Sequence, residues 1–273
     1  MDIKTLEEKV NLFLNDNKEK NFFDKNGKRL FSYISAGTQT GSHPVFKKIT
    51  QIIDKHLTPL DIFKNKYSNY NDIEISVITF AFHYSNDIVN DNAAEVTHPS
   101  FSWYELRHKF DLILDPFILY IKSIFNDNKI LIPEKSELYS VKKNTKVPTA
   151  NWSLRHIAFA CGLGSFGLHG ALITDRGCTH RLLSIVTDYN FNHYPQISMN
   201  PYFNCLYFNN KSCTKCIDRC PVNAIIPGEH IIERCFDHEM VVNKHKAIEI
   251  YGKEIAACGL CMSGVPCDLK KPV

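Results

Sequence analysis

Ten cysteines lie in a chain of 273 residues, and eight of them fall between positions 205 and 267. The densest run is Cys213-x2-Cys216-x3-Cys220-Pro221, followed by Cys235 and by Cys258-x2-Cys261-x5-Cys267. Thiolates at such spacings are soft ligands, suited to zinc or to iron–sulfur clusters. Eight divide into two complete sets of four, the number that a four-iron cluster or a zinc ion takes. Three readings stand side by side: two clusters, zinc, and free or disulfide-bonded thiols. Zinc ribbons separate their paired motifs by roughly 15–20 residues. The much longer gap from Cys216 to Cys258 and the Cys220-Pro221 step favour clusters.

The spacing departs from the bacterial ferredoxin run C-x2-C-x2-C-x3-C-P at one position, where Asn210 stands in place of a ligand. Cys205 lies upstream and is able to loop back. In that pattern the last cysteine of a run serves the other cluster. One [4Fe-4S] cluster is then expected on Cys205, Cys213, Cys216 and Cys267, the other on Cys220, Cys235, Cys258 and Cys261. The x5 spacing before Cys267 is the least regular step. Residues 222–225 match the short helix that follows the ferredoxin cysteines. Of the remaining two, Cys161 reads as a small core residue in an apolar helix. Cys178 follows Gly177 in a loop and is open to either burial or a site role.

A second signal lies before the cysteines. Gly162, Gly164 and Gly167 form GxGxxG by spacing. A dinucleotide fingerprint needs a strand before and a helix after. Here an apolar helix over 152–161 comes first and a strand follows, so that reading fails. Close backbone approach, to a ligand or to another strand, remains. Arg155 and His156 enter this turn and His169 leaves it; each is open to a site role or to an ordinary surface or core position.

These groups need a scaffold. Helical periodicity is expected over 5–15, with Leu6, Val10, Phe13 and Leu14 on one face, and again after Pro44, with Val45, Ile49, Ile52 and Ile53. Residues 73–83 read as a buried strand, 103–126 as a helix with a break or kink near Pro116, and 182–186 as another strand. The fold class is α/β in the broad sense, including α+β, and 190–202 is the expected linker. With 44% hydrophobic residues, 22% charged and a net charge of +3, the chain is neither disordered nor a polybasic tail. No apolar stretch reaches 18 residues and no secretory or twin-arginine signal opens it, so no membrane span is expected and a cytoplasmic location is. No nucleic-acid motif stands out, although the small charge leaves a tRNA substrate open.

Over 153–188, with CGLGSFG, LIT and VTD, and over 205–267, ending in CGLCMSGVPC, the sequence resembles the epoxyqueuosine reductase family, itself related to corrinoid-dependent reductive dehalogenases. The resemblance is to a short form without the HEAT-like extension. It implies a nitroreductase-like corrinoid and substrate domain over 1–195 and a ferredoxin-like two-cluster domain over 196–273. It further implies two [4Fe-4S] clusters passing single electrons to a cobalamin, which reduces a small organic molecule or a modified nucleoside. An external donor such as ferredoxin or flavodoxin would supply the electrons. Gly162, Gly164, Gly167, Arg155 and His169 would meet the corrin. The family's acidic proton donor has no counterpart in 147–152, and Leu168 stands where the family carries a lysine. His156 and Tyr104 are then the expected donors, with Tyr139 a further choice. Two other functions share these features: a non-catalytic iron–sulfur electron carrier, and a corrinoid-reactivating protein.

Overall fold

The computed structural model describes residues 1–16, 20–67, 74–133, 135–140 and 146–273. The first helix, α1 (Ile3–Asn15), starts where the Asp2 carboxylate accepts a hydrogen bond from the Thr5 N–H, and it buries Leu6, Val10 and Leu14. Strand β1 (Phe31–Thr40) leads to α2 (Pro44–Ile52), whose proline needs no amide partner at a helix start. Helix α2 buries Phe46 and Ile49, whereas Ile52, expected on the same face, is exposed. Helix α3 (Pro59–Lys66) opens with a reciprocal Thr58–Asp61 capping box. Strand β2 (Ser76–Tyr84) is buried at all nine positions. Residue 73, the expected start of that strand, lies outside the described residues.

Helix α4 (Asn86–Ala93) precedes α5 (Phe101–Phe125), which runs through Pro116 without a break, the kink being the other expectation there. Phe110, Ile113, Phe117 and Ile121 are buried at helical spacing on both sides of the proline. That packing offsets the hydrogen bond the proline removes. Strand β3 (Ile130–Leu131), helix α6 (Leu154–Ala160), the hairpin β4 (Gly164–Phe166) with β5 (Leu172–Thr174), and strand β6 (His180–Thr187) follow.

The main sheet has the order β1-β2-β6-β3, and every pairing is antiparallel. The architecture is therefore α+β, with no parallel crossover in this sheet. Alternate residues of β2 feed opposite faces. Ile78, Phe80 and Phe82 pack with α1 and α5; Val77 packs with α2, α3, α6 and Trp152. Helices cover both faces, which explains a central strand with no exposed side.

After β6 the chain carries no helix or strand through 190–202. It then forms short helices, Leu206–Asn210 and Lys215–Asp218, and a two-residue pairing of Ile225–Ile226 with Glu229–His230. The helix expected over 222–225 is replaced by a turn, with Asn223 at φ 49°, which ends any right-handed helix. Helix Ile232–Asp237 continues through a π-helical turn, His238–Asn243, into helix Lys244–Tyr251. Cys205, Cys216 and Ile225 share an apolar cluster with Leu168, Ala171 and Ile173. The cysteine-rich segment thus builds its core on the β4–β5 hairpin.

Candidate active site and metal centres

The eight cysteines face two small cavities. Cys205, Cys213, Cys216 and Cys267 line one, together with Leu168, His169 and Ile173. Cys220, Cys235, Cys258 and Cys261 line the other, together with Ile225, His230 and His238. This is the partition expected from the crossover pattern, and no disulfide joins any of the ten cysteines. Burial pushes the Cys216 and Cys258 thiols up to about 12 and Cys235 to about 11. Neighbouring cysteines add to the shift, because thiolates crowded in one apolar pocket repel. A soft, positively charged iron–sulfur core is the kind of group that relieves this cost, so the donor sets fit [4Fe-4S] clusters.

Cys267 is the exception. The Cys178 hydrogen bond, opposed by burial and assisted by His169, pulls it down to about 5. His169 Nε2 lies 3.4 Å and Cys178 Sγ 3.9 Å from Cys267 Sγ. The ligand atoms of His169, Cys178 and Cys267 all lie within 4.8 Å of one another, close enough for one metal ion. Cys178 is therefore buried beside the first cavity, whereas Cys161 is an ordinary core residue, 1% exposed with its Sγ 3.7 Å from the Val77 carbonyl oxygen.

A third cavity, of about 860 Å³, lies between α2, α6, the β4–β5 loop, residues 196–202 and the helix Ile232–Asp237. Its volume is at the upper end for small-molecule and cofactor sites, roughly 300–1,000 Å³. Phe159, Phe166, Tyr202 and Phe208 give it aromatic walls, and Lys48, Arg155 and Glu239 give it charge. Exposed Ile52 and Met199 also line it, which accounts for two apolar side chains left on the surface. The large apolar volume with a few polar groups fits a corrinoid. His230 and Cys235 line both this cavity and that of the second quartet, and Leu168 lines both this cavity and that of the first.

Of the residues singled out from sequence, Arg155, His156 and Gly167 reach the large cavity. Arg155 donates to the Gly170 carbonyl at 2.7 Å, tying α6 to the hairpin loop. His156 Nδ1 lies 2.8 Å from Ser153 Oγ, and burial lowers its pKa to about 4, so the imidazole is neutral at neutral pH. Four expectations need correction. Tyr104 is fully buried and its hydroxyl donates to the Asn243 carbonyl at 3.0 Å, so it braces the π-helical turn and lines none of these three cavities. Gly162 is exposed with φ +77° and packs near Pro195. A Cβ on Gly164 would meet the Ile173 carbonyl oxygen at 2.2 Å, so this glycine lets two strands approach and leaves no room there for a corrin. His169 turns away from the large cavity, toward Cys267.

Sequence reasoning missed His43, Lys48, His230 and Glu239, which also line the cavity. His230 lies five residues before Cys235, the one proximity that offered a hint. Burial lowers its pKa to about 4. The stretch 147–152 ends in Trp152, which is buried against His56 and donates to Ser184 Oγ at 2.7 Å. Glu239 is the carboxylate among the cavity's lining residues.

The α+β scaffold thus sets two cysteine-lined pockets against one large cavity. No family model matches the chain, and no curated protein does. Its fold is that of epoxyqueuosine reductase. The selenomethionine-labelled form of that enzyme aligns over 98% of this chain and 66% of its own, with a TM-score of 0.50 and 17% identity. The Bacillus subtilis enzyme, in a structure with its aspartate-bearing catalytic loop swung out of the active site, aligns over 99% and 67%, with the same score and identity. The chain spans about two thirds of the length of these enzymes. Among the described residues, no helix is long and apolar enough to cross a membrane.

Proposed function

We propose that this chain is a corrinoid-dependent iron–sulfur reductase acting in the cytoplasm. Residues 1–195 form a nitroreductase-like corrinoid and substrate domain, and residues 196–273 a ferredoxin-like segment holding two [4Fe-4S] clusters. The observation that carries the reading is the pair of four-cysteine cavities, one sharing His230 and Cys235 with the large cavity. The 860 Å³ cavity sets the chain apart from a bare electron carrier, which needs no such space. The fold of epoxyqueuosine reductase supports the same conclusion.

When bound, the clusters and the corrinoid supply one-electron transfer and a strongly reducing metal centre. The protein's own part is positional. The second quartet, on Cys220, Cys235, Cys258 and Cys261, lies next to the large cavity through Cys235, and the first lies behind Leu168. An external carrier such as ferredoxin or flavodoxin would supply the electrons. Phe159, Phe166 and Tyr202 offer aromatic faces to an occupant of the cavity. His156, held by Ser153, presents a neutral imidazole. Glu239 takes the role of proton carrier at its carboxylate oxygens, in place of the acid missing from 147–152. Substrates are small organic molecules or a modified nucleoside.

The test is anaerobic reconstitution with iron, sulfide and cobalamin, read by metal content and visible spectrum. The expected result is close to eight iron per chain, four for each quartet, and one bound corrin. Ile52→Glu places a charge in the cavity wall at an exposed position and should weaken corrin binding with iron content unchanged. Zinc in place of iron sinks the cluster assignment. Eight iron with no corrin affinity and reduction of a protein partner supports the electron-carrier reading.

A further inference from the structure

We infer that His169 is a positioning residue for Cys267, donating a hydrogen bond to its sulfur and so raising the reduction potential of the cluster on Cys205, Cys213, Cys216 and Cys267. The inference rests on the cluster assignment proposed above. Its geometry comes from the loop between β4 and β5. The Ala171 N–H donates to His169 Nδ1 at 3.0 Å, so Nδ1 carries the lone pair. The remaining ring proton is then on Nε2, which lies 3.4 Å from Cys267 Sγ and is directed to it as a donor. His169 is 4% exposed, so water does not replace this bond.

Gly167 supports the arrangement. A Cβ at that position would lie 2.6 Å from His169 Cε1 and 2.8 Å from Nε2. The glycine makes room for the imidazole to lie flat on the backbone and reach the sulfur. Cys178 stands on the same side, but its single S–H also has the Met262 carbonyl oxygen at 3.6 Å, nearer than Cys267 Sγ at 3.9 Å. Cys178 thus divides its S–H between two acceptors, whereas His169 is the nearer donor to Cys267, its proton fixed on Nε2 by the Ala171 bond. A hydrogen bond to a ligand sulfur stabilises the reduced, more negative state of a cluster over the oxidised one, so its removal lowers the potential.

The experiment is an EPR-monitored redox titration of the reconstituted full chain, with iron content measured on each sample. His169→Phe keeps a ring and loses the N–H. It should retain eight iron and shift one cluster's oxidised-to-reduced ratio at fixed potential about tenfold toward oxidised, equivalent to about 59 mV for one electron. The other cluster should be unmoved. His169→Gln retains a donor and should return the potential most of the way. Cys216→Ser removes the shifted signal and so assigns it to this quartet. Should His169→Phe fail to hold iron, Gly167→Ala, which pushes the ring off Nε2 contact, carries the same expectation. Unchanged potentials at full iron overturn the inference, as does His169→Gln behaving like His169→Phe. Fewer than eight iron in the wild type overturns instead the cluster assignment beneath it.

Discussion

Replacing Gly164 by alanine would put a methyl carbon 2.2 Å from the Ile173 carbonyl oxygen, 2.8 Å from its carbon and 3.0 Å from Thr174 Cα. All three are backbone atoms of the paired strand β5, so no side chain is able to swing aside. The same carbonyl accepts from Asn204 Nδ2 at 2.7 Å, and the Asn204 N–H donates to Ser165 Oγ at 2.8 Å. The hairpin must open, and with it the bonds that seat the residue next to Cys205. Overpacking costs about 1–3 kcal/mol where side chains adjust; with backbone alone to move, we expect the top of that range, about 3 kcal/mol. At roughly 2–4 °C per kcal/mol for chains somewhat shorter than this one, the melting temperature should fall by about 6–12 °C. Gly252→Ala is the control: φ is +86° and nothing lies within 4 Å, so it tests backbone conformation without collision. Its cost should be about 1 kcal/mol. The assay is thermal and urea unfolding of both variants in the same metal state, with iron content alongside. Gly164→Ala should also lose iron from the first quartet. A Gly164→Ala protein that melts with the wild type and holds all its iron would falsify the account of this glycine as a strand contact.

Other outcomes follow from the same geometry. Cys216→Ser and Cys258→Ser should each leave about four iron of eight, checked by iron and sulfide analysis, and each should lower the melting temperature, because a small metal-dependent core loses its centre. Tyr104→Phe removes the hydroxyl that braces Asn243 and should cost about 1–2 kcal/mol in urea unfolding while leaving substrate turnover unaltered. Acid should destabilise the fold through His180. Burial lowers its folded pKa to about 4 from an ordinary 6.5, so the unfolded chain binds the extra proton between those values. Stability is therefore full above about pH 6.5 and lost as pH falls toward about 4; His180→Phe should flatten that slope in urea midpoints taken at intervals across the range.

The scaffold was legible where burial is one-sided and periodic. Leu6, Val10 and Leu14 announce α1, and the apolar run of β2 announces a strand covered on both faces. The grouping of eight cysteines into two fours followed from spacing and matches two cavities, because thiol positions along a short loop-rich segment leave few ways to converge. The glycines were ambiguous for a physical reason: a missing Cβ serves a ligand, a strand or an imidazole equally well, and Gly164 and Gly167 serve the second and third. Tyr104 looked reactive because phenol chemistry is visible in a sequence and burial of its oxygen on Asn243, 139 positions away, is not. His230 and Glu239 reach the cavity only because a strand pair and a π-helical turn carry them there, and neither has a periodic signature.

The loop joining β4 to β5 presents Gly167, Leu168 and Gly170 to the large cavity while His169 turns the other way to Cys267. One short stretch of backbone therefore belongs to two compartments, and Arg155 clamps it at Gly170. An occupant that displaces this loop from the cavity side moves the imidazole on the far side. By thermodynamic reciprocity the converse holds in equal measure: whatever factor an occupant applies to the oxidation equilibrium of the metal site, that site's oxidation state applies to the occupant's affinity. With the cavity and the first quartet loaded as proposed, filling the one and charging the other would be a single coupled equilibrium, with the loop as its pivot.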